Sequence, residues 1–93
     1  MIKTHYEEYE QIKDKAVLMS GCEFDKMDIG ERDKLLSEKT VITTFQQRPA
    51  CAYYEIKGNA SGLSDLECAI IADRGNLCFG YRMEGKKIVV YTD

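Results

Sequence analysis

The chain has 93 residues, with 13 Lys or Arg against 16 Asp or Glu, one His, four Cys, one Pro and no Trp. A chain of this length buries about 60–65% of its unfolded surface, enough for one core, which argues against two domains. Its content, 44% hydrophobic and 31% charged, also lies away from disordered, collagen-like and disulfide-scaffold compositions. No apolar run exceeds five residues, against the about 20 that a membrane helix needs. Met1-Ile2-Lys3-Thr4 leads directly into Glu7, Glu8 and Glu10 rather than into an apolar signal region, so a cytoplasmic setting with reduced thiols is expected.

Residues 1–39 hold 10 acidic and 7 basic side chains, whereas residues 40–93 hold 6 of each, so all of the excess negative charge falls in the first part. That part has helical periodicity. Thr4 and Glu7 have capping-box spacing, and Tyr6, Tyr9, Ile12, Ala16 and Met19 recur at intervals of three and four, which predicts a first helix running to Ser20 and closed by Gly21. A second helix is predicted within 29–38, capped by Asp28, with Ile29, Leu35 and Leu36 buried.

After Lys39 the texture becomes that of strands. The β-branched run from Thr40 predicts strand one over 40–47, and Arg48-Pro49 breaks it. Strand two, 50–57, places Ala50, Ala52, Tyr54 and Ile56 on one face and Cys51, Tyr53, Glu55 and Lys57 on the other. Gly58 to Gly62 reads as a loop. Strand three is predicted over 66–72 with Leu66, Cys68, Ile70 and Ala72 aligned, followed by a hairpin at Asp73–Asn76. Strand four carries Leu77, Phe79, Tyr81 and Met83, and strand five spans Lys87 to Thr92. The expected fold is one α+β domain over 1–93, with two N-terminal helices packed on one face of a roughly five-stranded antiparallel sheet.

Candidate chemistry is sparse. Cys22, Cys51, Cys68 and Cys78 are separated by 29, 17 and 10 positions, without the local pair that closes a zinc knuckle, so neither metal nor cofactor is expected. Glu55, Asp65, Glu67 and Asp73 show no spacing that singles out an acid/base pair. The Asn59-Ala60-Ser61 sequon reads as chance, and the glycines lack the strand–turn–helix context of a phosphate loop. Arg74, Arg82, Lys86 and Lys87 form one basic cluster, which suits either an acidic partner or the protection of an edge strand, and the second reading is favoured. The predicted second helix sets Glu31, Asp33 and Glu38 beside Arg32 and Lys34, which argues against direct nucleic-acid binding.

What remains is surface. Six Tyr and no Trp provide stiff, amphipathic contact area of the kind enriched in interfaces. The reading is a non-catalytic, acidic protein-binding module that occupies a partner's surface, as inhibitors, immunity proteins, antitoxins and phage anti-defence proteins do. Glu7, Glu8, Glu10 and Asp14 are expected to meet a basic patch on the partner, with Tyr53 and Tyr91 as anchors. The alternatives are a thiol-dependent enzyme or redox protein using Cys51 or Cys78, and a homodimeric structural module.

Overall fold

The computed structural model describes residues 5–75 and 80–91. The elements run α1 (Tyr6–Ile12), a 3₁₀ turn (Lys13–Lys15), β1 (Ala16–Ser20), α2 (Gly21–Lys26), α3 (Ile29–Glu38), β2 (Thr40–Arg48), β3 (Cys51–Asn59), α4 (Asp65–Ala72), β4 (Tyr81–Glu84) and β5 (Lys87–Tyr91). The strands form one sheet of order β1-β2-β3-β5-β4. The class is α+β as expected, but the sheet is mixed: β1 runs parallel to β2, and every other pair is antiparallel.

The parallel strand comes from a segment whose period reads as helix. A helix through 16–19 would bury Ala16 and Met19 and leave Val17 and Leu18 in water. As a strand the same four residues are all half-buried, because Ala16 and Leu18 share a face with Thr40 and Ile42, while Val17 and Met19 align with Val41 and Thr43. Helix 1 therefore stops at Ile12, well before Ser20. Gly21 opens α2 instead of closing a helix, and Ser20 caps α2 by accepting a hydrogen bond from the Glu23 amide at 3.1 Å. The Thr4 cap lies outside the described residues.

The second predicted helix matches α3, with Asp28 at its N-cap. Ile29 is 72% exposed rather than buried, because it occupies the first helical position. β2, β3 and β5 fall where alternation put them, although Ala50 belongs to the turn before β3 and Gly58 and Asn59 extend that strand. Of strand four, Tyr81 and Met83 lie in β4, whereas Leu77 and Phe79 fall outside the described residues.

Strand three is a helix. Ser64 and Glu67 form a reciprocal capping box, with Ser64 Oγ accepting from the Glu67 amide at 3.2 Å and Glu67 Oε1 accepting from the Ser64 amide at 3.0 Å. Cys68 to Ala72 are all buried, and a run of five buried residues after the exposed first turn has no apolar stripe to announce a helical period. Asp73 to Gly75 thus do not open a hairpin, and Asn76 lies outside the described residues; Arg74 and Gly75 close α4 instead. Their amides donate to Ile71 O at 3.1 Å and Ile70 O at 2.9 Å, the Schellman arrangement.

The principal core joins Ile12, Ile42, Leu63, Ile88 and Val90 to Cys68–Ala72 of α4, with Tyr9, Leu18, Tyr54 and Ile56 packed around it. This cluster places α1 and α4 on the sheet face of Ile42, Tyr54 and Ile88. Val41, Val89 and Phe24 are buried apart from it. A Cβ built on Gly58, which pairs with Val41, would lie 2.8 Å from Leu36 Cδ2, so α3 meets the opposite face. Arg32 ties α3 to α2 there, donating to Asp25 O at 3.0 Å and Met27 O at 3.3 Å while its guanidinium lies over Phe24. Helices therefore contact both faces of the sheet.

Candidate functional site

The second face is divided. Its β1–β2 half lies under α2 and α3, whereas over β3, β5 and β4 the side chains themselves form the surface. The register sets these in three rows. Arg48, Cys51 and Tyr91 align across β2, β3 and β5; Gln46, Tyr53, Val89 and Arg82 align across all four strands; and Glu55, Lys87 and Glu84 align across β3, β5 and β4.

Two irregularities shape this face. Lys57 is the unpaired residue where the β2–β3 register shifts between Val41 and Ile42, and Phe45 is the unpaired residue between Thr44 and Gln46. The Phe45 bulge brings its ring, 53% exposed, beneath the Lys87 ammonium at 4.4 Å from the ring centroid. A recess of about 250 Å³ opens at the bulge between Phe45, Gln47 and Tyr53.

Every ring on this surface has a cation over it. Arg48 lies 5.9 Å from the Tyr53 centroid, Arg82 6.0 Å from that of Tyr91, and at the helical margin Lys57 lies 5.6 Å from that of Phe24. Arg82 Nη2 also pairs with Glu84 Oε1 at 2.7 Å, and Lys57 Nζ with Glu55 Oε1 at 3.4 Å. Val89, between Tyr53 and Arg82 in its row, is only 1% exposed. The neighbouring Cys51 side chain raises the pKa of the Tyr53 hydroxyl, and Arg48 opposes that shift.

The acidic residues are elsewhere. Glu7, Glu8 and Glu10 on α1 and Asp14 in the 3₁₀ turn are exposed, on the side of the sheet that α1 and α4 cover. Glu10 pairs with Lys13 at 2.7 Å, which raises the Lys13 pKa, and Glu8 lies 3.6 Å from His5 Nδ1. The six expected partner-binding residues are thus not one site: Tyr53 and Tyr91 lie on one face of the sheet, and the four carboxylates lie beyond the other.

Sequence reasoning missed Phe45 and Arg48, because a bulge cannot be read from alternation. It grouped Arg82 and Lys87 with Arg74 and Lys86. The strands separate them: Arg82 and Lys87 join the aromatic face, Lys86 lies in the β4–β5 turn, and Arg74 ends α4. Arg74 and Asp73 instead border a second recess of about 350 Å³ beside Tyr54 and Gln47, where burial raises the pKa of both the Asp73 carboxyl and the Tyr54 hydroxyl.

Among the cysteines, Cys22 is exposed, Cys51 is half-buried and Cys68 is buried in α4, where desolvation pushes its thiol up to about 11. Cys78 lies outside the described residues. Among the described residues no group of three or more His, Cys, Asp or Glu side chains could hold a metal ion, and no helix is long and apolar enough to cross a membrane. Asn59, the sequon residue, is occupied in structure: it accepts from Thr40 Oγ1 and the Leu63 amide and donates to Leu63 O at 2.8 Å. No protein-family model, curated protein or solved structure matches the chain.

Proposed function

We propose that this protein is a binding module that acts by occupying a protein partner's surface, without chemistry of its own. The observation that carries this reading is the cation-capped aromatic set on the part of the sheet beyond α2 and α3, in which Phe45 is exposed and Tyr53 and Tyr91 are half-buried. Tyr and Arg are the residues that most often dominate interface energetics, since each offers a large contact area with a polar end and little flexibility once packed. Four such side chains around a buried Val89 form a preassembled contact surface.

The acidic face of α1 takes a different part. Glu7, Glu8, Glu10 and Asp14 create a field that speeds the approach of a partner with a basic patch, and they make no contact in common with the tyrosines. Crosslinking in extracts of the native cells, compared between the wild-type chain, a Tyr53→Ala/Tyr91→Ala variant and a Glu7→Lys/Glu8→Lys/Glu10→Lys variant, tests the assignment. A specific crosslinked protein should vanish with the tyrosines and persist, captured more slowly, with the charge reversals. Loss confined to the charge reversals would move the interface to α1, and no specific crosslink with any form would remove the reading.

A further inference from the structure

We propose that the aromatic sheet face receives an extended acidic segment of a polypeptide, its carboxylates taken by Arg48 at one margin and Arg82 at the other; this rests on the binding role proposed above and names its ligand. The first support is charge. On a chain of net charge −3 this face reverses the sign, with Arg48, Lys57, Arg82 and Lys87 against Glu55 and Glu84. Lys57 and Arg82 each pair with one of the two carboxylates, Arg82 through Nη2 alone, which leaves its other guanidinium donors open to a second carboxylate. Arg48 and Lys87 have no such pair among the described residues, and each is held over a ring rather than extended into solvent.

The second support is spacing. Arg48 lies on β2 and Arg82 on β4, with β3 and β5 between them. Three interstrand steps of about 4.8 Å and the two-residue offset between their rows separate the two backbones by about 16 Å, of which an extended chain rising about 3.3 Å per residue covers about 13 Å in four residues and the two long side chains the rest. A segment with acidic residues at positions i and i+4 therefore reaches both guanidinium groups while its intervening residues cross β3 and β5 between them. Guanidinium suits this task, because its planar donors can grip a carboxylate in two places while its face remains on a ring.

The same observations count against a single-stranded nucleic acid, the other anionic polymer that aromatic sheet faces bind. Bases stack on open ring faces, and here Lys87, Arg48 and Arg82 already lie over those of Phe45, Tyr53 and Tyr91. A phosphate backbone crossing β3 to β4 would also meet Glu55 and Glu84 in the row beside Tyr53.

The test uses the full 93-residue chain and four labelled probes: a twelve-residue peptide with two glutamates four positions apart, its glutamine analogue, a permuted peptide with the glutamates adjacent, and a twelve-nucleotide oligothymidylate. Binding is measured by NMR titration and fluorescence anisotropy. The spaced peptide should bind about tenfold more tightly than the glutamine analogue, equivalent to two charge-assisted contacts, and shift the amides of β3, β4 and β5 but not those of α1. Arg48→Gln and Arg82→Gln should each remove about threefold, and Arg48→Lys should recover only part of the loss. Folding of each variant is read from the same spectra.

Equal binding of the glutamine analogue, equal binding of the permuted peptide, or tighter binding of the oligonucleotide would each overturn the proposal. Displacement of the crosslinked partner by the spaced peptide would support it. A partner that depends on Tyr53 and Tyr91 but is not displaced would leave the binding face standing and remove the acidic segment; peptide binding to β3, β4 and β5 without any such partner would leave the acidic-segment site standing and remove the reading that the protein occupies a partner's surface.

Discussion

Arg74 adopts φ +53° at the position after the end of α4, where the left-handed conformation usually belongs to glycine. An L side chain there costs about 1–2 kcal/mol, partly offset by glycine's greater freedom in the unfolded chain, so Arg74→Gly should stabilise the protein by about 0.5–1 kcal/mol in chemical denaturation. Gly75 is the opposite case: at φ +84° a Cβ would lie 3.1 Å from Tyr6 Cδ1 and Tyr9 Cβ, while its carbonyl accepts from the His5 amide at 2.9 Å. Gly75→Ala should therefore destabilise by about 1–3 kcal/mol and loosen α1 from α4, read as lost amide protection in α1. Cys68 makes a pH statement. Its thiol is raised from 9.0 to about 11 in the folded state, so the native state favours the protonated form; stability is intact below 9 and declines as pH rises through 9 to 11. Cys68→Ala should flatten that alkaline decline in thermal melts, and native Cys68 should resist thiol reagents that label exposed Cys22.

At the scale of elements, β1 and α4 are where local pattern and tertiary structure part. α4 depends on its capping box, since its buried apolar sequence leaves few other start signals. Ser64→Ala removes one half of that box and should cost about 1 kcal/mol, with the loss of protection concentrated in the first turn of α4. The Ser64/Glu67 spacing was present in the sequence as a helix start, but Leu66, Cys68, Ile70 and Ala72 also alternate, and alternation prevailed. Leu66, 43% exposed, shows which period is real: as a strand residue it would have been aligned with buried Cys68, whereas in the first turn of α4 it faces outward. For β1 the ambiguity is different. Ala16 and Met19 suit either element, and only pairing with Val41 and Ile42, more than twenty positions away, gives Val17 and Leu18 their cover.

For the whole molecule, the excess negative charge in residues 1–39 is a matter of sequence, and its exposed carboxylates on α1 follow from it. Its consequence is kinetic: Glu7→Lys/Glu8→Lys/Glu10→Lys should lower the association rate with a captured basic partner at low salt and converge with wild type at high salt, in surface-plasmon traces at several ionic strengths. Tyr53→Ala/Tyr91→Ala should instead raise the dissociation rate at every salt concentration. Much was readable beforehand. Local pattern was enough for the α+β class, α3, the strands β2, β3 and β5 and the shared parity of Cys51, Tyr53 and Glu55, because alternation, helix start residues and β-branched runs are local properties. Tertiary structure decided the parallel partner of β2, the helical state of 65–72, the bulge that carries Phe45, and the separation of the tyrosines from the acidic helix. Those choices depend on which surfaces meet across the sheet, and a short apolar run that can serve as helix or strand takes whichever form its distant neighbours bury.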